Sequence, residues 1–373
     1  MKKRFLGVLL SVAMVAAVLA GCGSSGAKET IAPAGSETEA ASEAASGETE
    51  AAGNTGDVIT VGFSQVGAES DWRTANSESM KSTFSTENGY NLIFDDAQQK
   101  QENQIAAIRN FIQQEVDYIV LAPVTETGWD TVLQEAKDAG IPVIIVDRMV
   151  DVSDDSLYTA WVGSNFKLEG QKAMAWLDAY LEAKGRGDEE INLVDIQGTI
   201  GASAQIGRTE GFDEAVEAHD NWTTLAQQSG EFTQAKGQEV MESILKQSGD
   251  DIDVVYCEND NEAFGAIDAI KAAGYEVGGE EGQILVMSFD TTNAGLTQTL
   301  SGEITCDTEC NPLHGPRVEE IIQKLEAGED VDKQAYVDEV AFAADDTVTK
   351  VTIDGTDYDI TPITQEIIDG RAY

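Results

Sequence analysis

From residue 57 onward, short apolar runs alternate with longer stretches in which apolar side chains recur every three or four positions. The runs predict strands at 59–64, 91–95, 118–122, 143–147, 158–162, 191–196, 223–228, 254–257 and 285–289. The stretches between them predict amphipathic helices. Over 101–114, Ile105, Ile108, Phe111 and Ile112 share one face, and a second helix is predicted over 128–139. Several helices stop at a glycine, as in Glu87-Asn88-Gly89, Asp138-Ala139-Gly140 and Ala272-Ala273-Gly274. There a residue free to take a left-handed backbone closes the last turn. Val- and Ile-rich strands alternating with helices predict an α/β fold, a parallel sheet covered on both faces. Near the end, "VTIDGTDYDI" predicts a hairpin turning at Asp354-Gly355.

The pattern occurs twice. "YIVLAPVTETGWDTVLQEAKDAGIPVIIVDR" runs strand, turn, helix, Ala-Gly, strand, Asp, and "VVYCENDNEAFGAIDAIKAAGYEVGGEEGQILVMSFD" does the same with a few residues inserted. Two copies of one unit predict two similar doubly wound lobes facing a shared cleft. Such sheets bind ligands beyond the carboxyl ends of their strands, so the residues following each strand are the candidates. After the first strand come Glu69, Ser70, Asp71, Trp72 and Arg73, with Ser70 or Asp71 a natural helix cap. Asp147 and Arg148 end the fourth. The loop "QGTIGASAQIGR" ends in Arg208, Asn259 follows the strand at 254–257, and Asp290 follows the strand at 285–289. Beyond the N-terminal basic cluster the chain has only seven arginines, and three of them fall at these junctions.

Those residue types suit a polyol. An indole face covers the C–H face of a sugar ring. Arg supplies a planar fork of donors and Asp two acceptor oxygens, so neighbouring hydroxyls are gripped from both sides. An acid beside each Arg keeps the site near neutral, which favours a neutral sugar over a phosphate. Catalysis is not expected. His219 and His314 are the only histidines and both read as surface residues; "GASAQ" lacks the closing glycine of a nucleophile elbow. Paired carboxylates such as Asp147 and Asp290 could in principle hydrolyse a glycoside. No metal-ligand spacing or phosphate loop appears, and no cofactor is expected.

Ahead of the body, Lys2, Lys3 and Arg4 precede an apolar run from Phe5 to Ala20 that closes on Leu19-Ala20-Gly21-Cys22. A basic head, a short apolar core and small residues describe an export signal over 1–21. Leu-Ala-Gly-Cys resembles a bacterial lipobox, in which Cys22 becomes a lipidated N-terminus tethered to the outer face of the cell membrane. Residues 22–56, nearly all Gly, Ala, Ser, Thr and Glu, predict a disordered acidic linker. The 373-residue chain carries a formal charge of -45, which repels nucleic acid and anionic lipid. Cys257, Cys306 and Cys310 read as small buried thiols, with a bond from Cys257 to either of the others left open.

At the strand-end residues, "VGFSQVGAESDWR", "QQKQENQIAAIRNFI", "LAPVTETGW", "LQEAKDAGIPV", "VDR", "DIQGTIGAS", "QSGEFTQAKGQEVMES" and "END" resemble the type I periplasmic binding proteins. The likeness is strongest to the galactofuranose-binding branch that serves bacterial ABC sugar importers, and it spans about residues 58 to 325. It implies two similar doubly wound parallel-sheet lobes joined by a three-strand hinge, crossed near Asn165, near Cys310-Asn311-Pro312 and between Asp338 and Ala341. One lobe comprises 57–165 and 311–339, the other 166–310 and 340–373. It further implies a monomer that captures a monosaccharide, galactofuranose or a related sugar, and delivers it to an ABC permease and its ATPase. The alternative is an extracellular sensor presenting its closed form to a histidine kinase or chemoreceptor. The implied ligand contacts coincide with the strand-end set: Glu69, Ser70, Asp71, Trp72, Arg73, Asp147, Arg148, Arg208, Asn259 and Asp290. Two departures, Asp71 in place of a smaller residue and Glu258 in place of a His, are expected to add negative charge at the rim.

Overall fold

A computed structural model describes residues 58–373. All nine predicted strands form, and five more join them among the described residues. The first unit runs β1 (Ile59–Gln65), α1 (Asp71–Thr83), β2 (Tyr90–Asp96), α2 (Gln101–Gln113), β3 (Tyr118–Leu121), α3 (Asp130–Asp138), β4 (Val143–Val146) and β5 (Ala160–Gly163). The second runs α4 (Phe166–Ala183), β6 (Ile191–Gln197), α5 (Ser203–Ala218), β7 (Trp222–Ser229), α6 (Gln234–Ser248), β8 (Val254–Cys257), α7 (Asp260–Ala273), β9 (Leu285–Asp290), α8 (Asn293–Ser301) and β10 (Cys306–Glu309). The chain then returns to the first sheet with α9 (Gly315–Glu326) and β11 (Gln334–Tyr336). It ends on the second with β12 (Ala341–Ala343), β13 (Lys350–Ile353), β14 (Thr356–Pro362) and α10 (Gln365–Gly370).

The sheets are separate: six strands in the order β11-β5-β4-β3-β1-β2, and eight in the order β13-β14-β12-β10-β9-β8-β6-β7. Every pairing in the first is parallel. Alternate residues of a strand feed opposite cores, which is why these strands are apolar throughout. Tyr118 and Val120 pack in one cluster, Ile119 and Leu121 in the other. Val254 and Tyr256 divide from Val255 and Cys257 in the same way. Close helix cover needs Gly62, since a Cβ there would lie 2.6 Å from the Phe111 ring. The hairpin forms between β13 and β14, with Asp354 and Gly355 at φ 49° and 79°. Cys257, Cys306 and Cys310 are buried free thiols.

The chain passes between the sheets three times: between β5 and α4, between β10 and α9, and between β11 and β12. This is the type I periplasmic binding protein fold, two parallel-sheet lobes on a three-segment hinge. Among the described residues no helix is long and apolar enough to cross a membrane. Cys22, the export signal and the linker lie outside the described residues.

Candidate functional site

The carboxyl ends of the two sheets face one another across a cavity lined from both lobes. Nine of the ten predicted residues line it: Glu69, Ser70, Trp72, Arg73, Asp147, Arg148, Arg208, Asn259 and Asp290.

Asp71 does not. Ser70 caps α1, its Oγ accepting from the Arg73 backbone N–H at 3.1 Å. In the first turn that follows, Trp72 and Arg73 are buried while the Asp71 side chain is exposed. The expected rim charge at Glu258 is also overturned. Its side chain is fully buried, accepting from the Gly198 N–H at 2.7 Å and the Thr209 hydroxyl at 2.6 Å, and burial pushes its carboxyl up to about 8. At neutral pH it is chiefly uncharged. His314, expected at the surface, is fully buried beside Trp72 at the start of α9, 3.0 Å from the Asn76 amide nitrogen. Burial lowers it to about 4, so it is a neutral core residue.

The internal repeat reaches into the site. Asp147 follows β4 and Asp290 ends β9, equivalent places in the two units, and both have positive φ, 62° and 103°. Backbone strain of this kind persists where surrounding structure over-determines it, commonly at binding sites. It turns each carboxyl into the cavity against an arginine.

Arg73 Nε meets Glu69 Oε1 at 2.9 Å, and its Nη1 lies 2.8 Å from Asp147 Oδ2, close in distance but misaligned for a hydrogen bond. Burial opposes the Arg73 charge, but Asp147 and Glu69 outweigh it and raise its affinity for a proton. Burial alone would raise the Asp147 carboxyl. Arg73 and Arg148 win and hold it below the usual carboxylate range. Arg148 is strained the other way, because burial and then the Arg73 charge press it down to about 10. In the second lobe, Arg208 Nε meets Glu169 Oε2 at 2.8 Å and its Nη2 lies 3.5 Å from Asp290 Oδ1. Burial nonetheless raises Asp290 well above the normal carboxyl range. Asn259 caps α7, accepting from the Glu262 N–H at 2.9 Å and donating to Phe232 O at 3.2 Å.

Sequence reasoning missed Phe166, Ala204, Phe232 and Cys310, which complete the lining. Phe166 follows β5 and Phe232 follows β7, so a strand-end search applied to every strand would have found both. The arginines stack on these walls: Arg148 lies 5.0 Å from the Phe232 ring centre, Arg208 5.5 Å from Phe166, and Arg73 4.6 Å from Trp72. Trp72 Nε1 donates to Cys310 O at 2.6 Å, which fixes the plane of the indole.

A pocket of this composition between two similar lobes is the arrangement of a two-lobed small-molecule binding protein. The profile of the periplasmic binding protein domain matches residues 61–308, and the chain belongs to that family. It is 45% identical over 261 residues to the galactofuranose-binding protein YtfQ of Escherichia coli (strain K12), covering 69% of this chain and 79% of that one. A solved structure from Mycobacterium smegmatis in complex with β-D-fucofuranose superposes with a TM-score of 0.73 at 42% identity, covering 78% of this chain and 92% of that one. The periplasmic component of the arabinose ABC transporter from Shewanella sp. ANA-3, bound to α- and β-L-arabinofuranose, gives 0.71 at 41%, covering 78% and 93%.

Proposed function

We propose that this protein captures one monosaccharide, galactofuranose or a related furanose-ring sugar, between its lobes and delivers it to an ABC permease. The observation that carries the reading is a pair of buried acceptors in the lining. Glu69 Oε2 has no hydrogen-bond donor among the described residues, and Asp147 Oδ2 has only its ion contact with Arg73 at 2.8 Å. Buried carboxylate oxygens without donors are costly, and vicinal hydroxyls supply both. Arg148 and Arg208 donate from the other side while Trp72, Phe166 and Phe232 cover the ring. The named relatives point to furanose sugars: one is a galactofuranose-binding protein, and the two solved structures hold β-D-fucofuranose and L-arabinofuranose.

In this reading Glu69, Ser70, Trp72, Arg73, Asp147, Arg148, Arg208, Asn259 and Asp290 contact the sugar. The lobes comprise 57–165 with 311–339, and 166–310 with 340–373. Cys22 carries the lipid that holds a monomeric receptor outside the cell membrane. No catalysis is proposed. Asp147 and Asp290 are pushed in opposite directions, as in an acid–base pair, but the two arginines against Asp147 suppress it as a base or nucleophile.

A calorimetric screen of furanose- and pyranose-restricted sugars, with glycoside hydrolysis followed in parallel, tests this. Tight binding of one furanose without turnover is expected. Binding of no sugar, or release of sugar from a glycoside, would overturn it.

A further inference from the structure

All three interlobe segments converge on one side chain. Glu339, on the third crossing, accepts at a single carboxylate oxygen from the Ser164 hydroxyl of the first crossing at 2.6 Å and from the Asn311 N–H of the second at 2.7 Å. Its own carbonyl accepts from Lys172 Nζ at 2.9 Å. Beside it, in the first turn of α4, stands Glu169, whose Oε2 holds Arg208 in the cavity. The second oxygen of Glu169 is buried with no donor among the described residues. Oxygens of Glu169 and Glu339 and the Cys310 Sγ all lie within 4.8 Å of one another. Glu169 is buried and Glu339 half-buried, and two carboxylates this close in such surroundings repel strongly unless one proton lies between them. That proton would also supply the donor that Glu169 lacks.

We propose that Glu339 is a positioning residue for sugar binding: sharing one proton with Glu169, it ties the three hinge segments together and holds the Arg208 guanidinium in place. The inference rests on the reading of the cavity as a sugar site. A metal ion does not fit the same three groups, because Arg208 already engages Glu169 and two donors engage Glu339. The surroundings favour the shared proton. Glu169 faces Arg208, Lys172 and Glu339; Glu339 faces Glu169, Glu309 and Cys310. Burial raises both carboxyls, with Arg208 opposing at Glu169 and the Glu169 charge adding to the effect at Glu339.

Because both carboxyls are raised in the folded state, their contribution to stability is complete at acid pH. It is lost as pH climbs from the ordinary carboxyl range through the folded-state value. When the proton leaves, the hinge tie and the Arg208 anchor loosen together, so sugar affinity falls as pH rises.

Glu339→Gln keeps the acceptor for Ser164 and Asn311 and supplies a permanent N–H toward Glu169. Melting temperatures of sugar-free native protein and Glu339→Gln, measured from about pH 5 to about pH 9, should coincide at the acid end. They should separate with rising pH, the variant exceeding the native by roughly 2–4 °C or more. Over the same range native sugar affinity should fall by about tenfold or more while that of the variant changes by less than about twofold. Glu169→Gln, which removes the other carboxyl, should flatten the melting profile equally, and it decides the matter should Glu339→Gln not fold. Parallel melting profiles for native and variants would overturn the inference even if a sugar binds. If no sugar binds, the cavity reading fails while the melting profiles still decide the tie.

Discussion

Arg148→Ala separates affinity from stability. Arg148 Nη1 donates to Val124 O at 3.0 Å, whereas Nη2 and Nε lie 3.8 Å and 3.9 Å from Glu69 and Asp147. These are ion contacts too long for hydrogen bonds, so among the described residues Arg148 Nη2 and Nε have no hydrogen-bond acceptor, and Arg148 lines the cavity. Each hydrogen bond from a charged donor to a hydroxyl contributes roughly 1.5–3 kcal/mol. Losing two removes about 3–6 kcal/mol, a fall in affinity of about a hundredfold to ten-thousandfold. Stability should move differently. The depression of Arg148 to about 10 corresponds to ~3 kcal/mol of unfavourable surroundings that the substitution relieves. The lost stacking on Phe232 and the bond to Val124 O take back a comparable amount. Sugar-free Arg148→Ala should therefore melt within a few degrees of the native protein while calorimetry shows little or no binding. Arg109→Ala, which breaks an exposed ion pair with Glu135, should leave binding unchanged. Native-like affinity in Arg148→Ala would refute the reasoning. So would a loss of affinity accompanied by a large drop in melting temperature, because fold damage would then account for it.

Trp72→Ala should weaken sugar binding by about 1–3 kcal/mol, with Trp72→Phe recovering part of it through the retained ring face; equal calorimetric affinity in all three would make Trp72 a core residue only. Ser203→Ala removes the acceptor for the Met149 N–H at 2.8 Å, an interlobe hydrogen bond like those from the Glu126 N–H to Gly201 O at 2.9 Å and from the Asp71 N–H to Asn261 Oδ1 at 3.0 Å. Its sugar off-rate in stopped flow should rise several-fold, by the ~0.5–1.5 kcal/mol of one bond, and an unchanged rate would remove this contact from lobe closure. Glu258→Gln should gain melting temperature over the native protein from about pH 4.5 upward, levelling near about pH 8, because across that window the unfolded Glu258 carboxyl ionises while burial keeps the folded one protonated. A constant difference across the range would show that Glu258 does not titrate there.

The strands, the repeat and the strand-end residues were legible because each depends on local order. A strand buried on both faces is apolar along its length, and a doubly wound sheet presents its ligand groups where strands end. Hence the Asp147 and Asp290 correspondence could be read from two copies of one pattern, and nine of ten proposed residues meet in one cavity. Outcomes set by packing were not legible. Helix α1 buries Trp72 and Arg73 but leaves Asp71 in solvent. Thr209 and Gly198 capture Glu258 away from the rim. Glu339 gains its role only because Ser164 and Asn311, more than twenty residues away along the chain, come within hydrogen-bond reach. Residue order by itself determined which side chains stand at the mouths of the sheets. Tertiary structure decided which of them are charged and which are paired, because burial and the distance between opposite lobes set both, and neither is a property of neighbours along the chain.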